Sequence, residues 1–399
     1  MESRLRCRDY ATKMDFSKLK WKGRQGLLLI SLAIVAVRIF AGLIAALVAD
    51  SFIAKGHWST AAPFSLVSAF NRWDAIRYIE IAKHGYSTLE LHAFYPAFPL
   101  LIRWVSPILH YYGGALALTW VAAVFAVWGV IDVAGRFASK ESAWIVGVLL
   151  AWNPVSIFFM AGYPEALLVA TMIWSLRFCL DKQWWQAAVL AAVASCTLPQ
   201  GMVSAVVLFL AVLLADRGWR GFVRGVLYGA IGELGLLSYM MYCWVTTGNP
   251  FLIQRAESSS WQNHLTYPFH TLLRQLAILV GGHESVQFQA VYVLDACAGV
   301  LGGVIAVVAM YLCWRDRRLV LPAVLLALGV LVSEMSVDNV ADATARFVFF
   351  LAPLYVIVAV CIDKLPRVAR LPVAVNLLLV SGMLAVLYGA MFNLGWWLT

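Results

Sequence analysis

The residues best suited to chemistry gather between Asn71 and Pro99. This stretch carries charges of both signs, the tyrosines Tyr78, Tyr86 and Tyr95, the histidines His84 and His92, and the pair Trp73–Asp74. A carboxylate such as Asp74, held at a membrane interface beside apolar groups, can take a proton from an attacking hydroxyl, which is general-base chemistry. A structural reading stands beside it. Asn71–Tyr86 has the make-up of a short amphipathic helix, with Asn71 as N-cap, Asp74 in the first turn where the helix dipole favours an anion, and Gly85 as the stop. Trp73, Ile76 and Ile79/Lys83 share one stripe of it, and Asp74, Tyr78 and Ile81 another. On the structural reading these residues only seat a helix at headgroup level.

Further candidates follow in order. In Phe94–Leu100, Pro96 and Pro99 fix φ and force the residues before them, Tyr95 and Phe98, to be extended, giving either a rigid aromatic ledge or a simple helix start. Trp152–Asn153–Pro154 closes one apolar run, and Tyr163–Pro164–Glu165 opens the next. Glu165 either lines a cleft or merely complements a helix N-terminus. Gln254 and Trp261 follow the Gly248–Asn249–Pro250 break. Arg346 either snorkels at a helix end or contacts an anion, for which a guanidinium suits phosphate oxygens.

The elements that must position these groups are membrane helices. Of 399 residues, 62% are hydrophobic and only 13% charged, about half the charge of a soluble domain. Apolar runs near 20 residues recur along the chain, which implies an all-α integral membrane protein rather than a barrel of short alternating strands. About 11 transmembrane helices are predicted, at roughly 26–49, 113–134, 142–160, 164–180, 184–197, 201–215, 225–246, 289–312, 319–333, 347–362 and 372–395. The run Trp184–Ala215 is read as a hairpin, because Thr197–Leu198–Pro199–Gln200–Gly201 is a turn signal. Every second connection is then basic: Arg136 and Lys140; Arg177 and Lys182; Arg217, Arg220 and Arg224; Arg315, Arg317 and Arg318; Lys364, Arg367 and Arg370. By the positive-inside rule, the basic head 1–25 is cytoplasmic and the C-terminus extracytoplasmic. The domain plan is that head followed by one polytopic membrane domain, 26–399, whose large outer loops are 50–112 and 247–288.

The net charge of +9 is thus a topology signal. With no zinc-finger, RNP or Gly-rich phosphate motif, no nucleic-acid partner is expected. The seven cysteines form no CxxC pair and read as small apolar fillers. The absence of any Asn-x-Ser/Thr acceptor and the brevity of the chain suit a bacterial inner membrane better than the secretory pathway.

Several of these motifs together resemble the phosphatidylinositol-glycan class V mannosyltransferase family in a shorter, bacterial-looking form. They are RWD-x-x-x-Y-x-x-I-A-x-x-G-Y at Arg72–Tyr86, YPAFPLL at Tyr95–Leu101, WNP-x-S-x-F-F at Trp152–Phe159, YPE at Tyr163–Glu165, GNP…Q…W at Gly248–Trp261 and ARF…PLY at Ala345–Tyr355. One departure is the turn at Cys196–Gly201, which lacks the Arg of the family's ARSNG-like connection. The resemblance implies a GT-C type glycosyltransferase that takes mannose from a polyprenyl-phosphate sugar and inverts it at the outer face. It carries the family's catalytic Asp to Asp74, and substrate contacts to Arg72, Trp73, Arg77, Tyr78, Tyr95, Tyr163, Glu165, Gln254, Trp261 and Arg346. The acceptor would be a lipid-borne or glycan hydroxyl, and the bilayer itself is a partner.

The residues suit that chemistry. One carboxylate can deprotonate the acceptor, and the departing phosphate needs only cationic stabilisation, for which Arg346 is the candidate and Arg72 or Arg77 the alternatives. No cofactor and no obligatory metal are expected, since the outer loops hold no D-x-D pair. The rivals are a lipid-linked-sugar flippase, which would need polar groups along several spans, and a silent scaffold subunit. Arg38, Asp132, Glu233 and Asp295 are a thin intramembrane trail for transport.

Overall fold

An apolar chain can satisfy its own backbone in lipid only as closed barrel or helix, and this one forms helices. The computed structural model describes residues 24–48, 69–267, 269–281, 286–335 and 343–395. Expectations for the basic head, for the outer loop before residue 69 and for the last four residues lie outside them.

The helices are α1 (Arg24–Val48), α2 (Asp74–His84), α3 (Ala97–Ala134), α4 (Lys140–Ala151), α5 (Glu165–Leu180), α6 (Trp184–Ser195), α7 (Val203–Ala215) and α8 (Trp219–Thr247). They continue as α9 (Leu252–Ser260), α10 (His270–Gly281), α11 (Val286–Arg315), α12 (Val320–Glu334), α13 (Thr344–Phe349), α14 (Ala352–Lys364) and α15 (Arg367–Asn393). Five of them, α1, α3, α8, α11 and α15, are long and apolar enough to cross a membrane. The chain is an integral membrane protein.

Each of the eleven expected spans falls on a helix, but six of those helices have only 12 to 16 residues. At 1.5 Å per residue they reach about 18–24 Å, short of a hydrocarbon core of about 30 Å. Length and composition alone carry five full spans among the described residues. The other helices are short because of local breaks inside the predicted runs. After α4, the Asn153 carboxamide accepts the Val155 N–H at 3.0 Å and a 3₁₀ turn, Ser156–Phe159, follows. Irregular backbone at membrane depth survives only inside protein, and residues 153–165 are all buried.

The hairpin expected within Trp184–Ala215 is present as α6 and α7, joined by a 3₁₀ turn at Pro199–Met202. A Cβ at Gly201 would lie 1.8 Å from the Ala194 carbonyl oxygen, so only glycine fits the turn. Gly235 of α8 likewise brings its backbone against the Ala192 carbonyl of α6, the small-residue packing that lets membrane helices associate without a hydrophobic driving force.

Two details near the start differ from expectation. Asn71 does not cap α2; Trp73 precedes it with φ 55° and no capping side chain, while Gly85 does end it with φ 77°. Helix α3 begins at Ala97, inside the stretch expected as loop, so Tyr95–Pro99 is a helix start, its Ala97 N–H bonded to the Cys196 carbonyl of the hairpin turn. Helix α3 bends at His110 (φ 54°), three residues after Pro107. Its first segment exposes Leu100, Trp104 and Ile108, an i, i+4, i+8 stripe.

Side-chain contacts distinguish two ends. At one end Arg136 pairs with Asp181 at 2.7 Å, and the Ser139 hydroxyl donates to Asp363 at 2.7 Å. The basic connections after α3 and α5 and the end of α14 meet there. The other end gathers α2, the hairpin turn, α9 and α13 around a cavity.

Candidate active site

Asp74 is the first residue of α2, and the residue before it sits in the left-handed region. A non-glycine residue there costs on the order of 1–3 kcal/mol, which the surrounding packing must hold. That packing is Tyr78, one turn later, edge-on to Phe94 at 5.1 Å and to Phe98 at 5.5 Å. Burial pushes the Tyr78 phenol well above its ordinary pKa, so it is a neutral donor.

Arg346 comes from the far end of the sequence on α13. Ala343, with φ 64°, turns the chain into this short helix, and buried Asp295 of α11 accepts the Ala345 N–H at 2.7 Å. The guanidinium Nη1 donates to Asp74 Oδ2 at 2.9 Å, and Nε donates to Glu165 Oε1. Phe158 and Tyr163 lie against the guanidinium at 4.8 and 4.9 Å. Desolvation alone would lower the Arg346 pKa, but Glu165 and Asp74 hold it above its ordinary value. The Tyr163 hydroxyl donates to the Arg72 carbonyl at 3.1 Å, tying α5 to the turn before Asp74. Burial raises the Tyr163 phenol well above its usual pKa.

The side chain of Glu165 is 1% exposed, that of Arg346 7% and that of Asp74 25%. Asp74 is therefore the carboxylate of this trio that reaches open space. That space is a cavity of about 520 Å³. One wall is Asp74, Tyr78, Phe94, Tyr95 and Arg346; a second is Leu198–Gln200 with Met202. The third comes from Phe251, Gln254, Glu257, Trp261, Asn263 and His264, and Met240, Val332, Met335 and Phe347 add apolar surface.

The structure thus gathers Asp74, Tyr78, Tyr95, Gln254, Trp261 and Arg346 on one cavity, with Tyr163 and Glu165 directly behind Arg346. Three expected contacts lie elsewhere. Arg72 donates to the Asn393 carbonyl at 2.8 Å, anchoring the end of α15. Arg77 pairs with Glu90 at 2.5 Å and with Glu80 at 3.6 Å. Trp73 is outside the cavity wall and half exposed. For Arg77 the position follows from α2: Asp74 and Tyr78 lie on the face turned to the cavity, and residue 77 precedes Tyr78 by one, about 100° around the helix. Arg72 and Trp73 precede the helix, where the positive φ of Trp73 redirects the chain. Arg346 itself is engaged by two carboxylates rather than standing free for an anion.

Sequence reasoning passed over Gln200, Glu257, Asn263 and His264. Glu257 is three residues after Gln254 on α9, a spacing that shares a face and could have marked it. Burial raises its pKa to about 7, and Asn263 Nδ2 donates to its Oε2 at 3.0 Å. Gln200 occupies the turn that lacks the family's Arg, and its Oε1 is buried without a partner. Among the described residues, no three His, Cys, Asp or Glu side chains gather closely enough to hold a metal ion.

No protein-family model matches the chain. Among curated proteins it is similar to GPI alpha-1,6-mannosyltransferase 2 of Rattus norvegicus, 28% identical over 153 residues, which is 35% of this chain and 31% of the rat protein. The corresponding protein of Homo sapiens is 26% identical over 152 residues, with the same coverage of 35% and 31%. GPI mannosyltransferase 2 of Drosophila melanogaster is 27% identical over 111 residues, a quarter of each chain. The matched stretch thus spans about a third or less of the length of these relatives. Over that stretch, the chain's curated homologues are the GPI mannosyltransferase 2 proteins.

Proposed function

We propose that the chain is an inverting GT-C type mannosyltransferase that moves mannose from a polyprenyl-phosphate donor to a lipid-borne or glycan hydroxyl at the extracytoplasmic face. The observation that carries this reading is the placement of Asp74: hydrogen-bonded by Arg346, at the edge of a cavity, in a chain whose homologues are named mannosyltransferases. Asp74 Oδ2 is taken by Arg346, which leaves Oδ1 to accept the proton of the acceptor hydroxyl as its oxygen attacks the anomeric carbon. The bond from that carbon to the donor phosphate breaks in the same displacement, and the phosphate leaves with its electron pair. A lipid phosphate is already a good leaving group, so neither a second acid nor a metal is needed in this scheme.

Glu165 supports Arg346 from below and keeps the guanidinium aimed at Asp74. The apolar part of the wall, Met202, Met240, Val332 and Phe347, suits a polyprenyl chain. In this reading all eleven helical segments are embedded, the basic end is cytoplasmic, and the short helices sit inside the bundle. The test uses purified chain, labelled polyprenyl-phosphate mannose and a panel of lipid and glycan acceptors, with products identified by mass. Wild-type transfer that is lost in Asp74→Asn, with insertion and helicity kept, supports the reading. Activity that survives the substitution, or transport without transfer, overturns it.

A further inference from the structure

The cavity contains two accessible carboxylates with different partners. Asp74 is paired with Arg346, whereas Glu257 has no cationic partner among the described residues. Glu257 is instead held rigidly. Its backbone carbonyl accepts the N–H groups of Trp261 at 3.0 Å and Asn263 at 3.2 Å, closing α9, and its Oε2 accepts from the Asn263 side chain at 3.0 Å. One Asn263 N–H is thereby used to fix the carboxylate in place, and its Oδ1 is buried with no partner among the described residues. What this wall offers a ligand is Glu257 Oε1, the carboxylate oxygen that Asn263 does not engage.

A carboxyl group on the wall discriminates between the two chemistries a sugar phosphate brings. A phosphate oxygen is itself an anionic acceptor and gains nothing from it. A sugar hydroxyl donates, and the Glu257 carboxylate, fixed by Asn263, can accept it. The same wall carries Trp261, edge-on to Phe94 at 5.5 Å, so apolar ring surface stands beside that carboxylate for the C–H face of a sugar.

We propose that Glu257, held in position by Asn263, forms a sugar-hydroxyl subsite, which orients a mannose ring with its phosphate or glycosidic end away from α9. This deepens, and rests on, the reading of the cavity as a mannosyl-transfer site. Glu257 is a binding residue in it and Asp74 keeps the proton transfer.

The test is saturation-transfer NMR on the full chain in detergent, with methyl α-mannoside as the probe and inorganic phosphate as the comparison. The mannoside protons should take up saturation, and both Glu257→Gln and Asn263→Ala should weaken that binding about tenfold. Neither substitution should weaken any phosphate binding. No saturation on wild-type chain, or equal mannoside binding by wild type and both variants, overturns the subsite. In the transfer assay, Glu257→Gln should raise KM for one sugar substrate about tenfold with little change in kcat, and whichever KM moves identifies the donor or acceptor sugar. Unchanged KM for both also overturns it. The two readings fail separately. Glu257-dependent mannoside binding in a chain that transfers nothing sinks the transferase and keeps the subsite; Asp74-dependent transfer with Glu257-independent mannoside binding does the reverse.

Discussion

Two ionic clusters sit at opposite ends of the bundle. At the basic end, Arg177 bridges Asp132 and Asp181, and Arg136 also reaches Asp181 at 2.7 Å, so two cations meet two anions. At the cavity end, Arg346 alone meets both Asp74 and Glu165. The first cluster is balanced and ties α3 to α5 across a connection. The second sets two carboxyl groups against one guanidinium, with one of them at the edge of open space. Salt bridges that only hold helices together can match cation to anion. On the proposed reading, Asp74 is the carboxyl left over to accept a proton.

The largest contrast expected is in turnover. Asp74→Asn should lower the rate of mannose transfer by about 10²–10⁴ while leaving the circular-dichroism spectrum unchanged, as for loss of a general base. Asp181→Asn, at the other cluster, should leave initial rates within about twofold; an equal loss there would abolish the distinction between the ends.

Stability should separate the clusters next. Arg346→Ala strands Glu165, whose side chain is only 1% exposed, and removing one partner of a buried pair costs about 3–5 kcal/mol. Thermal unfolding in detergent should show this loss, and Arg346→Ala/Glu165→Ala should recover much of it without recovering activity. Arg136→Ala should cost at most about 1 kcal/mol, because its ion pair is partly solvated and other partners of Asp181 remain.

The pH dependence of stability should run in opposite directions at the two ends. Hydrogen bonding from Arg136, reinforced by Arg177, holds the Asp181 carboxyl below its ordinary value. Its contribution is therefore present above the unfolded pKa of about 3.9 and lost as pH falls through the folded value. Burial raises Glu257 to about 7, so its contribution is present below an unfolded pKa of about 4.3 and lost as pH rises through the folded value. Melting curves from pH 3 to 8 should show Asp181→Asn flattening the acid limb and Glu257→Gln flattening the neutral limb, each by a few degrees. A Glu257→Gln curve parallel to wild type would remove that group from the account.

Much of the helical plan was legible because its cues are local. Pro199 and Gly201 split Trp184–Ala215 into two helices, a break that the sequence marks with its strongest turn formers. What was not legible depends on packing at a distance. Hydropathy alone cannot distinguish a full span from a 12-residue helix continued by a buried 3₁₀ turn, as at α4. The positive φ of Trp73 has no sequence signature, since that residue is held by neighbours rather than by its own preference. Arg72 and Arg77 flank Asp74 closely in sequence, yet the turn before α2 directs Arg72 to α15 and helical rotation directs Arg77 to Glu90. Glu257 drew no reading from the sequence, because its partner Asn263 lies beyond the end of its helix.

The bend at His110 has a consequence for where a reaction could take place. A straight helix of 38 residues would be about 57 Å long, nearly twice the hydrocarbon thickness. The segment before the bend therefore has a different job from the rest, and its Leu100–Trp104–Ile108 ridge gives that segment a greasy keel. Such a keel is suited to lie along a lipid surface. Tyr95 of the cavity wall is two residues before that segment, so a keel lying on lipid would also set the height of the cavity above it.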